Sequence, residues 1–462
     1  MEENTVLKNE DISDRISELL EEKDYRSIKQ ILCDMNAQDI AELIDGFDER
    51  NTVLLYRLLP KEPAAELFVE MDPEKQEALI KGFSDTELAQ VVSELYVDDA
   101  VDIIEEMPAN VVRRILKSAD PDTRRAINEI LKYPEDSAGS IMTTEYVRLD
   151  GSYTVADALM HIRRTGIDKE TIYTCYVTDN VRRLIGYVSA KTLLLADSDD
   201  LIRDIMETKV VSVSALEDKE TAAGLMSRYD IIAMPVVDSE NRLVGIITVD
   251  DAIDVLQEEV TEDIEKMAAI LPSDKPYLKT GVFSIWAKRI PWLMLLMVSA
   301  TFTGQIITSF ESALSGMGVV ILTAFIPMIM DTGGNAGGQA SVTVIRGLAT
   351  GDISLGDVLK IIWKETRVAL LCGVSLSVIG FLKILLVDNL IFGNGIPMAV
   401  AAAVCITLTL TVFVAKLTGC TLPLLAKLLK LDPAVMASPF ITTIVDAISL
   451  FIYFRISVAI LS

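Results

Sequence analysis

The chain has 462 residues, half of them hydrophobic, and its 68 acidic and 42 basic residues give a formal net charge of −26. Residues 1–280 carry −29 (60 acidic, 31 basic), whereas residues 281–462 carry +3 (8 acidic, 11 basic). A soluble half this acidic excludes nucleic acid as a partner and attracts cations, although excess charge also serves solubility. Five scattered cysteines and one histidine, His161, argue against a disulfide framework and a histidine-based zinc site.

A short repeat runs through residues 35–119. Equivalent apolar positions such as Met35, Phe47 and Leu59 recur at a constant interval, and each is followed by a turn-like stretch, for example DPEK or SDTE, and then by an apolar pair. Turn residues of this kind favour helix N-caps, and short helices stacked in sequence form a superhelix. The repeat predicts an all-α superhelical N domain over residues 1–133 that acts as a scaffold or contacts a partner.

A second and longer repeat has two copies within residues 139–255. Its clearest match aligns LIGYVS, residues 184–189, with LVGIIT, residues 243–248. Each copy reads as a strand, a helix, two paired short strands and a helix. This pattern resembles a pair of CBS domains and predicts an α/β domain over residues 134–251. The resemblance implies a regulatory module that can bind ATP, with a dimerisation platform lacking a ligand as the alternative.

A connecting helix is predicted from Asp251 to Leu271, and the segment 252–280 is predicted to join this module to the apolar half. Acidic residues three or four apart form one stripe on this helix. The stripe consists of Asp251, Asp254, Glu258, Glu262 and Glu265, and it is widened by Glu259 and Asp263. Carboxylates so placed repel each other unless cations compensate, and Lys266 is the only basic residue in the helix. The stripe favours divalent-cation binding, and a solvated helix face is the alternative.

Five membrane-spanning helices are predicted in residues 281–462, because uncharged runs recur there that extend to the length needed to cross a bilayer. They are placed near 284–308, 315–344, 364–388, 397–422 and 434–460. Basic residues alternate between loops, and those between the fourth and fifth helices are Lys416, Lys427 and Lys430. By the positive-inside rule, this multi-pass protein of the cell membrane has cytoplasmic N-terminal domains and an external C-terminus.

Polar residues interrupt two of the predicted membrane helices. The last carries Asp446 near its middle, and an ionised carboxylate in hydrocarbon costs about 3 kcal/mol on insertion scales. The second contains the run DTGGNAGGQ, residues 331–339, whose polar side chains share one face. Both patterns favour an ion pathway, with a structural buried acid and small-residue packing as alternatives. The predicted lining side chains besides Asp446 are Asn335, Gln339, Thr442 and Thr443.

The order of these segments resembles the MgtE family of magnesium transporters over nearly the whole chain. Its specific motifs are residues 331–339 and SPFITTIVD, residues 438–446. The resemblance implies a homodimer whose pore holds hydrated Mg²⁺ at Asp446 on the two-fold axis. It also implies closure of the pore by Mg²⁺ at a set of acidic residues. These are Asp98, Asp99, Asp102, Asp230, Asp250, Asp251, Asp254, Glu258, Glu259, Glu262, Asp263 and Asp432.

Two departures from the family pattern concern the pore lining: Gly338 stands where Asn is usual, and Ser449 stands where Gly is usual. The sequence nevertheless predicts a Mg²⁺ channel or transporter in the lipid bilayer. It does not predict an enzyme, since no G-x-x-x-x-G-K-[ST] motif for energising transport occurs. Two alternatives stay open: a secondary transporter coupling divalent cations to protons or sodium, and a membrane-anchored nucleotide sensor acting on a protein partner.

Overall fold

The computed structural model describes residues 2–273, 277–278, 280–315, 320–436 and 438–461. The chain divides into two compact units, Met1–Leu256 and Gln257–Ser462. The first holds the helical repeats and the two copies of the longer repeat. The second holds the long apolar helices. This agrees with the predicted fold class of an all-α domain, an α/β pair and a helical apolar region.

The N-terminal part of the first unit consists of short helices. They are α1 (Glu2–Glu22), α2 (Tyr25–Cys33), α3 (Ala37–Asp45), α4 (Glu49–Leu58), α5 (Lys61–Val69), α6 (Pro73–Gly82), α7 (Asp85–Glu94), α8 (Val97–Glu106), α9 (Ala109–Ser118) and α10 (Pro121–Ile130). From α2 onward the helices begin at one constant interval, which confirms the short repeat. Turn residues cap several helices, as Ser84 does in a capping box with Glu87. Helices two apart, such as α3 and α5, pack together and give a continuous core.

Two three-stranded sheets follow in residues 131–256. The first contains β1 (Tyr146–Asp150), β2 (Thr171–Thr178) and β3 (Leu184–Ser189), and the second β4 (Val213–Ser214), β5 (Ala233–Val237) and β6 (Leu243–Thr248). In each sheet the first strand is parallel and the third antiparallel to the middle one. The accompanying helices are α11 (Val155–Thr165), α12 (Ala190–Leu195), α13 (Ile202–Ile205) and α14 (Lys219–Tyr229). This order confirms the predicted repeat of strand, helix, paired strands and helix.

The predicted connecting helix is observed as α15 (Val249–Met267). It buries Ala252 and Val255, whereas Val260 and Ile264 of its predicted apolar face are exposed in the single chain. Of the predicted connecting segment, residues 274–276 and 279 lie outside the described residues.

The second unit contains α16 (Val282–Ser315), α17 (Val320–Thr323), α18 (Ile326–Ala349), α19 (Val358–Lys383), a π-helical stretch (Ile384–Ile391), α20 (Met398–Leu428) and α21 (Ser438–Leu461). In the described part of the chain, four segments are long and apolar enough to cross a membrane: Val282–Phe310, Leu355–Ile391, Met398–Leu428 and Pro433–Leu461. The second predicted span, 315–344, corresponds mainly to α18, and its residues 316–319 lie outside the described ones. Because α18 is rich in glycine and polar residues, it is not among the four, and five spans remain a prediction.

Two loop assignments from the sequence are wrong, because Lys427 lies in the last turn of α20 and Lys416 lies further inside the same helix. The basic-residue pattern places Lys416 between the fourth and fifth membrane helices, but the structure places it inside α20, where it is buried. Its Nζ lies 3.9 Å from Oε2 of Glu365 on α19. A buried charge is stable only when it is paired, and Glu365 supplies the opposite charge. The predicted orientation therefore has to rest on the other basic residues.

Candidate cation pathway and cation sites

Helix α18 has two chemically different faces. Its glycine face is buried: Gly333, Gly334, Gly337 and Gly338 pack towards α20 and α21. Its polar face is exposed in the single chain and consists of Asp331, Asn335 and Gln339, each four positions from the next. The polar stripe and small-residue packing, which the sequence offered as alternatives, therefore occur together on opposite faces of one helix.

Close helix packing requires the glycines of α18. A Cβ added at Gly419 of α20 would overlap the carbonyl oxygen of Gly337, and one added at Gly333 would lie 3.0 Å from the Ser449 hydroxyl. Ser449 and Gly338, the two departures from the family pattern, are both buried. They therefore belong to the packed face and not to the exposed polar stripe.

Asp446 on α21 is half-buried, and Asp331 of the α18 stripe is its acidic neighbour, close enough for the two carboxylates to repel each other. One turn earlier, the hydroxyls of Thr442 and Thr443 both donate to the Pro439 carbonyl oxygen, at 2.9 and 3.1 Å. Each hydroxyl oxygen keeps a lone pair that can accept from a water molecule. The sequence shows Asp331 in the stripe but does not single it out, because its approach to Asp446 depends on how the two helices pack.

Carboxylates from separate segments of the first unit converge at a second candidate cation site. Asp98 and Asp99 occupy the first turn of α8, and Asp250 and Asp251 the first turn of α15. Asp98 is only 7% exposed, and its Oδ1 has no hydrogen-bond partner. Burying a carboxylate oxygen without a partner is unfavourable, so this arrangement leaves an acceptor for a cation or its hydrating water.

The ionisation of these groups reflects the crowding. Burial, reinforced by repulsion from Asp99, raises the pKa of Asp98 to about 7. Burial and repulsion from Asp251 raise the pKa of Asp99 to about 7 as well. Asp251 accepts from the Thr248 hydroxyl, yet burial and repulsion from Asp98 still raise its pKa to about 7. A divalent cation would favour the ionised forms that the cluster otherwise resists.

Two members of this cluster were not predicted. Glu170 precedes β2, has an Oε2 without a hydrogen-bond partner, and has a pKa raised to about 8 by burial and by repulsion from Asp98. Glu145 precedes β1 and accepts from the Val97 amide at 3.2 Å, at the start of α8. Nothing in the spacing of these glutamates marks them, since they approach α8 only through the tertiary fold.

The remaining predicted residues of the first unit are placed differently. Asp102 faces the same cluster, where burial and repulsion from Asp251 raise its pKa, although its side chain keeps an exposed surface. Burial followed by repulsion from Asp250 raises the pKa of Asp254. Asp230 is exposed at the C-cap of α14, in the left-handed conformation (φ 53°), and is not brought into the cluster.

A third group of carboxylates lies in the second unit. The Nζ of Lys266, on α15, is 2.7 Å from Oδ2 of Asp432, in the loop between α20 and α21, and it also pairs with Glu262. Burial followed by repulsion from Asp432 raises the pKa of Asp263. Glu258 and Glu259 lie further up the same helix. Here the Lys266 ammonium compensates part of the charge of the predicted stripe.

Among the described residues, no group of three or more His, Cys, Asp or Glu side chains is arranged to hold a bare metal ion. Mg²⁺ gives up its waters reluctantly and often binds through them. Carboxylates that are close enough to repel each other, but not close enough for direct coordination, suit a hydrated divalent cation.

A cavity of about 340 Å³ lies in the first copy of the longer repeat. Its lining includes the basic side chains Arg148 and Lys169, the acidic side chains Asp150 and Asp179, and His161. Arginine and lysine side chains bind phosphate groups. The two basic side chains could bind a phosphate group, whereas the two acidic side chains would oppose one unless it lies on the basic side of the cavity.

Comparison with known proteins gives matches along most of the chain. A model described as the MgtE intracellular N domain matches residues 35–136, CBS domain models match residues 138–199 and 202–258, and a model described as a divalent cation transporter, MgtE, matches residues 326–456. The magnesium transporter MgtE of Thermus thermophilus is 37% identical over 96% of this chain and 97% of its own. That of Bacillus subtilis is 33% identical over 96% of each chain.

Two solved structures resemble the soluble half. The cytosolic domain of the Mg²⁺ channel MgtE in complex with ATP is 38% identical, with a TM-score of 0.51, and the match covers 53% of this chain and 99% of that one. The soluble part of a magnesium transporter is 29% identical, also with a TM-score of 0.51, over 54% and 99% of the two chains.

Proposed function

The chain belongs to the MgtE family of magnesium transporters, and on that premise we propose that it is a channel for hydrated Mg²⁺ that closes when Mg²⁺ binds its acidic soluble half. The observation that carries the proposal is the polar face of α18, Asp331, Asn335 and Gln339, lying beside Asp446. A polar stripe exposed on a membrane helix requires water, a cation or another protein surface beside it.

The lining chemistry supports passage of a hydrated ion. Carboxylate, amide and hydroxyl groups can hold the water shell of Mg²⁺ without removing it. The membrane potential supplies about 2.3 kcal/mol per charge per 100 mV, and about twice that for a divalent cation. Inward flow down the electrochemical gradient therefore needs no coupled reaction.

A homodimer supplies the second wall of the pathway. Asp446 is half-buried and the α18 stripe is exposed in one copy, and a two-fold interface is self-complementary. Two copies would face each other across two Asp446 and two Asp331 side chains, with the N-terminal domains cytoplasmic and the C-terminus outside.

Closure by Mg²⁺ draws on the carboxylate cluster around Asp98. The cluster resists ionisation in the absence of a cation, so the bound ion stabilises the arrangement in which α8, Glu170 and α15 lie together. An ion that prefers this arrangement shifts the protein towards it by its difference in affinity. Further proposed ligands are Asp102 and Asp254 and, away from this cluster, Asp230, Glu258, Glu259, Glu262, Asp263 and Asp432.

The test is Mg²⁺ uptake by the purified protein in liposomes. Asp446→Ala should abolish uptake while leaving the oligomeric state unchanged, because it removes the pore carboxylate that the proposal requires. Asp352→Ala, in the exposed loop after α18, is the matched control and should transport normally. Normal uptake by Asp446→Ala would sink the proposal. Uptake that disappears when a proton or sodium gradient is removed would favour a coupled transporter, and no uptake by the wild type would favour a nucleotide sensor.

We also propose that the CBS pair binds ATP. This rests on the similarity to the ATP-bound cytosolic domain and on the cavity lined by Arg148 and Lys169. Titration of the full-length protein with ATP, followed by calorimetry, tests it. Unchanged binding to an Arg148→Ala, Lys169→Ala variant would place the nucleotide elsewhere, and no binding to the wild type would refute the proposal.

A further inference from the structure

One face of α19 is exposed in the single chain and changes in character along the helix. In its first turns the exposed side chains are Lys360, Trp363, Lys364 and Arg367, which lie three or four positions apart and so share one face. Further along, the exposed side chains are mainly apolar, and the large ones are Leu370, Leu371, Val374, Val378, Ile379 and Leu382. A basic and aromatic end followed by an apolar stretch matches the boundary between the headgroups and the hydrocarbon of a bilayer.

The apolar stretch has the length of the hydrocarbon core. The membrane-length segment that contains α19 ends at Ile391. At about 1.5 Å per residue, residues 370–391 extend over about 30 Å, which is the thickness of that core. With this stretch in hydrocarbon, residues 360–367 lie at the level of the lipid headgroups.

The chain does not neutralise the basic groups of this face. Lys364 and Arg367 form no ion pair with a carboxylate among the described residues. Glu365, the only acidic residue of α19, is directed into the protein, and its side chain is 15% exposed. At the other end of the helix, in contrast, Nζ of Lys383 lies 3.0 and 2.8 Å from the two carboxylate oxygens of Asp388. An anion from outside the chain is therefore favoured at the first end and not at the second.

The polarity of the helix makes these cations unfavourable unless an anion binds them. Because α19 begins at Val358, Lys360 and Lys364 lie in its first two turns, where the macrodipole favours negative charge. Lys360 pairs with Asp357 at 2.8 Å, yet its side chain remains 84% exposed. A bound phosphate would gain both from the basic side chains and from the start of the helix.

Trp363 and Arg367 form the centre of the face. The Trp363 side chain is 63% exposed, and the guanidinium carbon of Arg367 lies 5.7 Å from the centre of the indole ring. The Arg367 Nε donates to the Trp363 carbonyl oxygen at 3.4 Å, which leaves the other N–H groups of the guanidinium available for a phosphate. An exposed indole is favoured at a membrane interface, where its ring meets lipid and its N–H meets water.

We propose that the face formed by Lys360, Trp363, Lys364 and Arg367 binds the phosphate headgroup of an anionic phospholipid, whose acyl chain lies against Leu370. Charge complementarity and the apolar stretch together select this occupant, because a soluble phosphate would use only the basic end. In the proposed orientation the lipid belongs to the cytoplasmic leaflet. The inference goes beyond the proposed function and requires only that the chain crosses the bilayer.

Quenching of tryptophan fluorescence by brominated lipid tests the proposal. The chain has three tryptophans, so Trp286→Phe with Trp292→Phe leaves Trp363 as the only one. This full-length protein is reconstituted in dibrominated phosphatidylcholine mixed with unbrominated phosphatidylglycerol or unbrominated phosphatidylcholine. A lipid bound beside Trp363 displaces the quencher, so phosphatidylglycerol should restore more fluorescence than an equal fraction of phosphatidylcholine.

Substitutions at the basic residues identify the contact. A basic side chain near an anionic membrane surface contributes about 1 kcal/mol, or about fivefold in binding. Lys364→Gln and Arg367→Gln should therefore each lower the preference for phosphatidylglycerol about fivefold, whereas Lys364→Arg should retain it. Lys430→Gln, at an exposed basic residue after α20, is the matched control and should leave the preference unchanged.

Each other outcome overturns the inference. Equal recovery of fluorescence with the two lipids, or a preference that both glutamine variants retain, would mean that the basic face does not bind the headgroup. Absence of quenching would mean that protein, such as a second copy, covers Trp363. Loss of the preference on adding inorganic phosphate at constant ionic strength would assign the face to a soluble anion.

The measurement is independent of folding problems in one background and of transport. Trp286→Tyr with Trp292→Tyr serves if the phenylalanine variant fails to fold, with excitation selective for tryptophan. Because no flux is measured, a protein that binds phosphatidylglycerol here but does not transport Mg²⁺ would refute the proposed function and leave this result standing.

Discussion

Replacing Asp98 by asparagine should stabilise the soluble half when no divalent cation is present. Asp98 is 7% exposed, and burial with repulsion from Asp99 raises its pKa from 3.8 to about 7. Each pH unit between these values corresponds to about 1.4 kcal/mol, so keeping Asp98 ionised at pH 8 costs the fold on the order of 4 kcal/mol. The asparagine amide must also be buried, at about 1–3 kcal/mol, which leaves a net gain of about 2 kcal/mol.

The same argument sets the pH dependence of stability. The folded-state pKa values of Asp98, Asp99 and Asp251 lie above their ordinary values, so the folded state binds more protons than the unfolded state between about pH 4 and pH 7. The contribution of these groups to the free energy of unfolding is therefore fully present below about pH 4 and is lost as the pH rises through about 7. Asp98→Asn should make this loss smaller.

Calorimetry of a fragment of residues 1–267 measures the effect, since the corresponding part of two relatives has been solved as a separate protein. In EDTA at pH 8 the unfolding midpoint of Asp98→Asn should rise by about 4–8 °C, at about 2–4 °C per kcal/mol. Mg²⁺ should stabilise the wild type more than the variant, because the variant has lost a ligand charge. Asp199→Asn, at an exposed carboxylate, should change neither value. A variant that melts no higher than the wild type in EDTA, or gains equally from Mg²⁺, would refute the reasoning.

Two further sets of substitutions test the ion pathway and its closure by Mg²⁺ separately. Asp331→Asn should reduce Mg²⁺ uptake in liposomes at least severalfold, because it halves the carboxylate charge beside the pore; Asp352→Asn is the control, and equal uptake by the two variants would exclude Asp331 from the pathway. Neutralising Glu258, Glu259 and Asp263 together should leave uptake intact but remove its inhibition by Mg²⁺ on the cytoplasmic side. If that triple variant closes at the same Mg²⁺ concentration as the wild type, the acidic connector is only a solvated surface.

Local patterns predicted the helical and α/β parts of the fold because their signals are close together in the sequence. The short repeat indicated where each helix from α3 to α10 begins, since each turn and the apolar pair after it lie within one unit. The matching strands 184–189 and 243–248 identified the two sheets in the same way. On α18, the spacing from Asn335 to Gln339 predicted a polar face, and the structure shows that face exposed.

Contacts between distant segments could not be read from the sequence. Glu145 and Glu170 join the Asp98 cluster because β1 and β2 start beside α8. No local sequence pattern predicts that these segments lie close together. Lys416 reads as a loop residue because its compensating partner, Glu365, is on another helix. The pairing of Lys266 with Asp432 was missed for the same reason, since four long helices separate the two residues along the chain.

The two units place carboxylates together in different ways, and this difference bears on how one ion could serve both. Around Asp98 the carboxylates are buried and resist ionisation. A bound cation would therefore stabilise the ionised carboxylates in that packed arrangement. Beside Asp446 the acidic and amide side chains are exposed along one helix face. An ion there can keep its hydration shell and pass along the pathway. The self-closing channel proposed above requires that Mg²⁺ bind the closed form of the soluble half in preference to its open form, and that the pathway let the ion pass. Because several sites would each add their preference for the closed form, closure should be steep in Mg²⁺ concentration even if every single site is weak.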